Sequence, residues 1–421
     1  MPNISPTAES PSRTPSVGVF AFPRLSGWHL AAAAVALVVL IPLAVTFAAW
    51  LRPQAEIMGH LAEFVLPELL LNTFWLLLGV GVGVGVLGVS LAWLTAMCDF
   101  PGRAIFSWAL LLPLAVPAYV LAFVLIGLLD FTGPIQTALR GVFGPLALPP
   151  IRSRGGVILV MSLALYPYVY LIARNAFQSQ GRAAMEAAQT LGLNRWRGFF
   201  KVALPMARPW IAAGVALALM ETLADFGTVS TFNYDTFTTG IYKAWFSLFS
   251  LPAASQLASI LIVFVLLLVL AEQRQRAPIK YIAVGRSGDQ RRMRLTRAQG
   301  ALAWSLCFVV LLAAFIAPMV QLLLWAKAAI ATDLDARYWS FLGHSLWLSS
   351  LGAVTVAAVA LLLAYAARQR PSALVRGAQR IATLGYAIPG AVLAVGVFIP
   401  VAWLDEQLIA LFSLTTSTGV P

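Results

Sequence analysis

Apolar residues run along this chain in long blocks, and polar residues gather in the short segments between them. A helix rises about 1.5 Å per residue, so about 20 apolar residues cross a bilayer. Nine blocks meet or approach that length: about His29 to Trp50, Leu70 to Met97, Ala104 to Leu129, Gly155 to Ile172, Trp210 to Gly227, Ala254 to Ala271, Ala301 to Ala326, Leu346 to Ala366 and Ile381 to Trp403. The pattern predicts an all-α, polytopic membrane helix bundle, with Trp28 and Trp50 placed like interfacial anchors of the first span.

Several blocks carry internal features. In the second, Gly79, Gly81, Gly83, Gly85 and Gly88 alternate with valine or leucine, and the run 83–88 formally matches a dinucleotide-binding fingerprint. Such a fingerprint needs a strand before it and a helix after it, whereas this run lies inside an uncharged span; small residues four apart let helix backbones approach closely instead. Pro113 and Pro117 lie in the third block. Proline in a membrane helix removes backbone hydrogen bonds, so this helix is expected to face the bundle interior and is a candidate for the translocation path. The fifth block holds Glu221 and Asp225, four residues apart on one helix face, with Glu221 about 16 Å along the span. A carboxyl at that depth costs a few kcal/mol unless it meets water or a partner. Both readings stay open: a path-lining group, or a buried carboxyl bonded to a neighbouring helix.

The longest polar excursion in the first 270 residues is Arg182 to Pro209. Arg182 to Leu191 is alanine-rich and predicts a short helix, with Gly192 placed to end it and Met185, Ala188 and Leu191 as a thin apolar edge. A second element, Asn194 to Ala203, mixes Arg195, Arg197 and Lys201 with Trp196, Phe199 and Phe200; Pro205 and Pro209 are expected to break the chain after it. Glu186-Ala187-Ala188, then Gly192, then Val202-Ala203-Leu204-Pro205 resembles the EAA loop of permease subunits of ABC importers. The resemblance implies a cytoplasmic loop, 182–209, whose helix docks on an ABC ATPase subunit, with Glu186, Ala187, Ala188, Gly192, Leu204 and Pro205 as the docking positions. The stretch from Glu221 to Trp245 is similar to the ferric-iron branch of these permeases, which implies ferric iron delivered by a periplasmic iron-binding protein; polyamine, thiamine and sulfate permeases share the architecture. Iron(III) prefers hard oxygen ligands, and Glu221, Asp225, Tyr166, Tyr168 and Tyr170 are oxygen donors on the expected path, though a path must not hold its cargo tightly.

Composition agrees with the pattern: 60% of the 421 residues are hydrophobic, 10% are charged, and mean hydropathy is +0.86. The formal net charge of +12 is spread over short loops rather than gathered in one patch, which speaks for membrane orientation and against nucleic acid. With the N-terminus inside, 21 of the 28 Lys and Arg fall on the cytoplasmic side of an inner membrane. Residues 1–27, rich in Ser and Pro, read as a disordered cytoplasmic tail ahead of a retained helix. Cys98 and Cys307 lie far apart in or beside spans and read as packing residues. His29, His60 and His344 have no ligand spacing, so no metal site and no membrane enzyme is indicated. The sequence contains no P-loop; ATP is expected on a partner subunit, with no cofactor bound by this chain. A gradient-driven secondary transporter, with Glu221 as proton relay, is the competing class, but it has no use for an ATPase-docking helix.

The chain also repeats itself. Residues 72–76 (NTFWL) correspond to 344–348 (HSLWL) and Pro117 to Pro389 at an offset of 272, while Pro42 and Trp50 find counterparts in Pro318 and Trp325 at nearly the same offset. The expected organisation is a first permease half (28–272), a basic cytoplasmic linker (273–299) and an incomplete second half (300–421). A second EAA loop at the same offset would fall beyond Pro421. A second permease chain or a longer reading frame is therefore expected to supply it, and this chain is not expected to transport alone.

Overall fold

The computed structural model describes residues 26–51, 54–144, 149–181, 185, 188–276, 292–333, 336–369 and 371–412. Nearly all of them are helical. The main elements are α1 (Gly27–Ala48), α2 (Leu66–Met97), β1 (Cys98–Asp99), α3 (Arg103–Ala109), α4 (Ala118–Leu129), α5 (Pro134–Phe143), α6 (Arg154–Ala176), α7 (Leu204–Ala224), α8 (Gly227–Thr231), α9 (Phe237–Phe246), α10 (Leu251–Arg276), β2 (Met293–Arg294), α11 (Arg297–Leu311), α12 (Ala317–Asp333), α13 (Ala336–Gln369), α14 (Ala373–Leu384) and α15 (Gly390–Phe412). Among the described residues nine helical stretches are long and apolar enough to span a membrane, the number read from the sequence.

The glycine stripe works by close approach. A Cβ at Gly79 would lie 2.5 Å from Ile158, one at Gly83 would collide with Ser162, and one at Gly88 would lie 2.9 Å from the backbone nitrogen of Tyr170. One face of α2 is thereby pressed onto α6. Gly81 and Gly85 face Leu219 and Val215 of α7, and Gly214 of α7 sits against the Val169 backbone of α6. Dispersion between closely set backbones is what holds helices together in lipid, where apolar burial contributes little.

Two expectations need correction. The third and ninth blocks are not single kinked helices. Pro113 opens a 3₁₀ turn (Leu112–Ala115), Val116 is extended (φ −107°, ψ 121°), and Pro117 starts α4. Proline disfavours helical backbone in the residue before it, so Pro117 interrupts the helix outright. The break recurs in the second repeat, where 3₁₀ turn Gly385–Ala387 and extended Ile388 (φ −84°, ψ 126°) precede Pro389 and α15. Conversely, Pro205 and Pro209 do not break the fifth block, because helix runs from Arg195 to Ala224 through a π-turn at Phe199–Ala203. There Leu204 N–H reaches back to Phe199 O, and Pro205 falls in the first turn of α7, where a missing donor matters least. Between the spans, Asp130 to Arg154 contains a helix, α5, and the residues after the fifth span fold into α8 and α9.

The two repeats exchange their first helices. In the first repeat, α4 packs on α12 of the second: Phe123 meets Trp325 edge-on at 5.5 Å, and a Cβ at Gly127 would lie 2.8 Å from the same ring. In the second repeat, α15 packs on α1 of the first, where a Cβ at Gly396 would lie 2.5 Å from Pro42 O. The linker between the repeats is fastened by a parallel strand pair, Cys98 with Met293 and Asp99 with Arg294.

Candidate functional site

Two regions hold the residues singled out from the sequence. The first lies where α6 ends. Ala188 to Thr190 are helical, and the helix closes with nested hydrogen bonds from Gly192 N to Gln189 O (3.0 Å) and from Leu193 N to Ala188 O (3.0 Å), with Gly192 left-handed at φ +83°. This is the C-terminal arrangement that a glycine at that position makes cheap. Met185 and Ala188 are buried while Leu191 is exposed, so the apolar edge is two residues rather than three. Met185 lies against Gly198, where a Cβ would stand 2.9 Å from its sulfur. Glu186 and Ala187 lie outside the described residues. Leu204 and Pro205 open α7 and are half-buried, flanked by buried Ala203 and Ala207. An aromatic group, Trp93 with Phe177 at 5.4 Å and Phe199 at 4.5 Å, ties this segment to the end of α2.

The second region is the far end of α7, where both proline breaks converge. Tyr119, two residues after Pro117, packs against Gly227 at the start of α8. From the second repeat, Tyr386 donates its hydroxyl to Glu221 Oε1 at 2.9 Å. Tyr386 was not singled out from the sequence; the offset of 272 places it at the position of Leu114, inside a turn already marked by its proline, and that was the available signal. Tyr168 of α6 lies within Coulombic range of both Glu221 and Tyr386. Glu221 and Tyr386 thus form a hydrogen-bonded pair of oxygen groups across the junction of the repeats, with Tyr168 in their neighbourhood and Tyr386 66% exposed. Glu221 occupies the last turn of α7 rather than the middle of a span, because the helix begins earlier than the sequence pattern indicates and ends at Ala224.

The remaining candidates are held differently. Asp225 caps α8: its Oδ1 accepts from Thr228 N (2.9 Å) and Val229 N (3.2 Å) and its Oδ2 from Thr228 Oγ1 (3.0 Å). A carboxylate at a helix N-terminus satisfies donors that have no partner within the helix. Tyr166 and Tyr170, four residues apart on one face of α6, are fully buried and donate to Leu110 O (2.9 Å) and Ser107 O (3.1 Å). Tyr168, two residues from each, points to the other side. Pro113 is buried within its turn, whereas Pro117 is exposed at the N-terminus of α4. Much of the polar content of 225–246 is likewise internal scaffolding: Thr238 donates to Asp225 O (2.7 Å), Tyr234 to Asn72 O (3.1 Å), and Lys243 pairs with Asp235 at 2.7 Å. Among the described residues no cluster of His, Cys, Asp and Glu could hold a resident metal.

The glycine-welded helix core and the short helix ended by Gly192 lie in a polytopic membrane bundle of the transport-permease class, and the chain belongs to the family of binding-protein-dependent transport system inner membrane components, whose family model matches residues 85–274. Among its relatives, the Fe(3+)-transport system permease protein FbpB 2 of Haemophilus influenzae is 28% identical over 332 residues, 78% of this chain and 62% of that protein. The molybdenum transport system permease protein ModB of Escherichia coli is 33% identical over 167 residues, 39% of this chain and 72% of that protein. The sulfate transport system permease protein CysT of Escherichia coli is 31% identical over 194 residues, 44% of this chain and 67% of that protein. The match to the Haemophilus protein is long enough to extend across the repeat junction, and this chain spans less than two thirds of that relative's length.

Proposed function

We propose that this chain is the membrane-spanning permease subunit of an ATP-driven importer of ferric iron, working by alternating access and itself performing no hydrolysis. A separate ATPase subunit would push on the 182–209 loop from the cytoplasm, and a periplasmic binding protein would deliver cargo to the opposite face, with the N-terminus cytoplasmic as the Lys and Arg distribution favours. Rocking of one repeat against the other would then open the path alternately to either side. The helix ended by Gly192 supports the docking role: its buried edge, Met185 and Ala188, grips the permease, so its motion is transmitted to α7 through Gly198.

The cargo reading rests on Glu221 with Tyr386 and Tyr168. A carboxylate flanked by two phenols offers hard oxygen donors to a trivalent cation. The same carboxylate opposes molybdate and sulfate, the cargoes in the names of the shorter-matching relatives, because like charges in a low-dielectric path repel strongly. Those relatives are more identical over their shorter alignments, so an oxyanion is the competing cargo. Reconstitution with candidate ATPase and binding-protein partners, together with the polypeptide that supplies the rest of the second half, followed by uptake of radiolabelled iron, molybdate and sulfate, decides between them. ATP-dependent iron accumulation alone is expected; accumulation of an oxyanion without iron overturns the cargo reading. Gly192→Val tests the docking reading, since a β-branched residue is strained at positive φ and should uncouple ATP hydrolysis from uptake while the chain still inserts. Normal coupling in that variant would count against it.

A further inference from the structure

The ends of α2, α6 and the linker bring three arginines together on the face that carries the 182–209 loop, for which the transport reading has no use. Tyr170 fixes the neighbourhood, its hydroxyl lying 3.1 Å from Thr95 Oγ1. One turn further along α6, Arg174 lies on the same face as Tyr170. Arg103, at the first position of α3, turns back so that its Nη1 donates to Thr95 O at 3.4 Å and its Nε stands 3.8 Å from Asp99 Oδ1. Arg292 precedes Met293, which the strand pair sets beside Cys98.

This cluster is under-neutralised. Among the described residues its one ion-pair partner is Asp99, whose side chain is 57% exposed against 18% for Arg103. The Arg174 Nε is buried and donates to nothing among the described residues. An N–H buried without an acceptor is costly, and a guanidinium presents several donors in a fixed fork. Burial, and then repulsion from Arg292 and Arg174, hold the Arg103 guanidinium below its ordinary pKa, with Asp99 only partly opposing. The site calls for an anion with several acceptor oxygens.

Beside it lies a cavity of about 640 Å³ whose walls include Trp93, Leu94, Phe199, Leu302 and Leu306. Its lining residues Leu94, Cys98 and Met293 each stand one position from a member of the cluster's framework, namely Thr95, Asp99 and Arg292. Leu302 and Leu306 are exposed on α11, a membrane span, so the cavity opens toward lipid. A free anion or a partner's carboxylate would leave this apolar space unfilled, whereas one ligand class carries both a phosphate and a chain.

We propose that Arg103, Arg174 and Arg292 bind the phosphate of an anionic phospholipid whose acyl chain occupies the adjoining cavity. Basic pockets between membrane helices recognise such headgroups by charge-assisted, often bidentate, hydrogen bonds. The inference needs only the membrane placement and is independent of the cargo.

The test uses the full chain in neutral detergent, titrated with phosphatidylglycerol, phosphatidylcholine or inorganic phosphate, with thermal unfolding as the readout. Phosphatidylglycerol should stabilise, and its half-saturating concentration should rise about fivefold for each arginine replaced, or roughly 25-fold in Arg174→Gln/Arg292→Gln. If the double variant gives no cooperative unfolding, Arg292→Gln alone, at an exposed position, should still show the fivefold shift. An unchanged midpoint in the variants, equal stabilisation by phosphatidylcholine, or full stabilisation by inorganic phosphate alone would each overturn the proposal. So would loss of ATPase-subunit binding in the variants with an unchanged lipid midpoint, which would make the cluster a protein interface.

Discussion

Helices α4 and α15 are equivalents in the two repeats, and their differences are reciprocal. Each follows the same break: a 3₁₀ turn, an extended residue, then a proline whose carbonyl accepts the first two helical bonds, at Val120 and Leu121 in one case and Val392 and Leu393 in the other. Gly127 in α4 corresponds to Ile399 in α15, and Gly396 in α15 to Val124 in α4. Each glycine sits where its helix is crossed by the other repeat's first helix, at Trp325 or at Pro42. Backbone shape has thus been retained through duplication while packing has been rewritten for two different neighbours. The polar consequence is equally lopsided: Leu114 in the first turn has no hydroxyl to offer, whereas its counterpart Tyr386 reaches Glu221 across the junction.

The comparison can be broken most forcefully at the buried leucines. Leu121 is 1% exposed and its counterpart Leu393 is only partly buried. Leu121→Ala should cost about 2–5 kcal/mol of stability and Leu393→Ala clearly less, as read by unfolding in detergent. Equal losses would mean that the two turns are equally embedded. Next comes Gly396→Val, which installs the first repeat's residue in the second. With Pro42 O only 2.5 Å from the new Cβ, α1 and α15 must separate, at a cost of about 1–3 kcal/mol. The paired substitution Val124→Gly should be destabilising for a different reason, loss of buried side chain, so a cysteine crosslink between α1 and α15 should weaken only in the former.

A smaller effect is expected from Tyr386→Phe. The bond to Glu221 is largely exposed, so about 1 kcal/mol is at stake, a few-fold drop in iron uptake with little change in melting temperature. A loss of stability with normal uptake per folded molecule would make the pair a structural strut. The smallest effect belongs to Leu114→Tyr, which gives the first turn the second turn's side chain; uptake and stability should both stay close to wild type, since Glu221 is already engaged from the other side.

What could be read from the sequence divides along the same physical lines. Span number and the role of the glycine stripe were legible because hydropathy and small-residue spacing report on a single helix and its nearest neighbour. Gly192 was legible because helix termination is local. The proline effects were misjudged in both directions. Pro117 and Pro389 follow an extended residue and start new helices, whereas Pro205 comes just after a π-turn and Pro209 lies inside α7, a difference that the residue type alone does not reveal. Tyr386 escaped notice because its partner lies 165 positions away and its own repeat counterpart is apolar. The packing of α8 and α9 was also hidden, since Asp225 and the threonines of 228–239 satisfy one another internally and leave no periodic stripe to detect.

The two-rung pairing of β1 with β2 has a consequence for how such a chain assembles. Met293 docks beside Cys98, almost two hundred positions upstream, so α11 enters the bilayer at a point set by the first repeat and not by the length of what joins them. A pair this short contributes only about 1 kcal/mol per bond, too little to hold the halves together but enough to choose a starting register. Loop length costs little free energy beyond the first closure, so evolution could lengthen or shorten the joint without moving the seventh span. In that sense the clasp is a positional landmark for biogenesis: the second repeat is delivered to a place already built before it is synthesised.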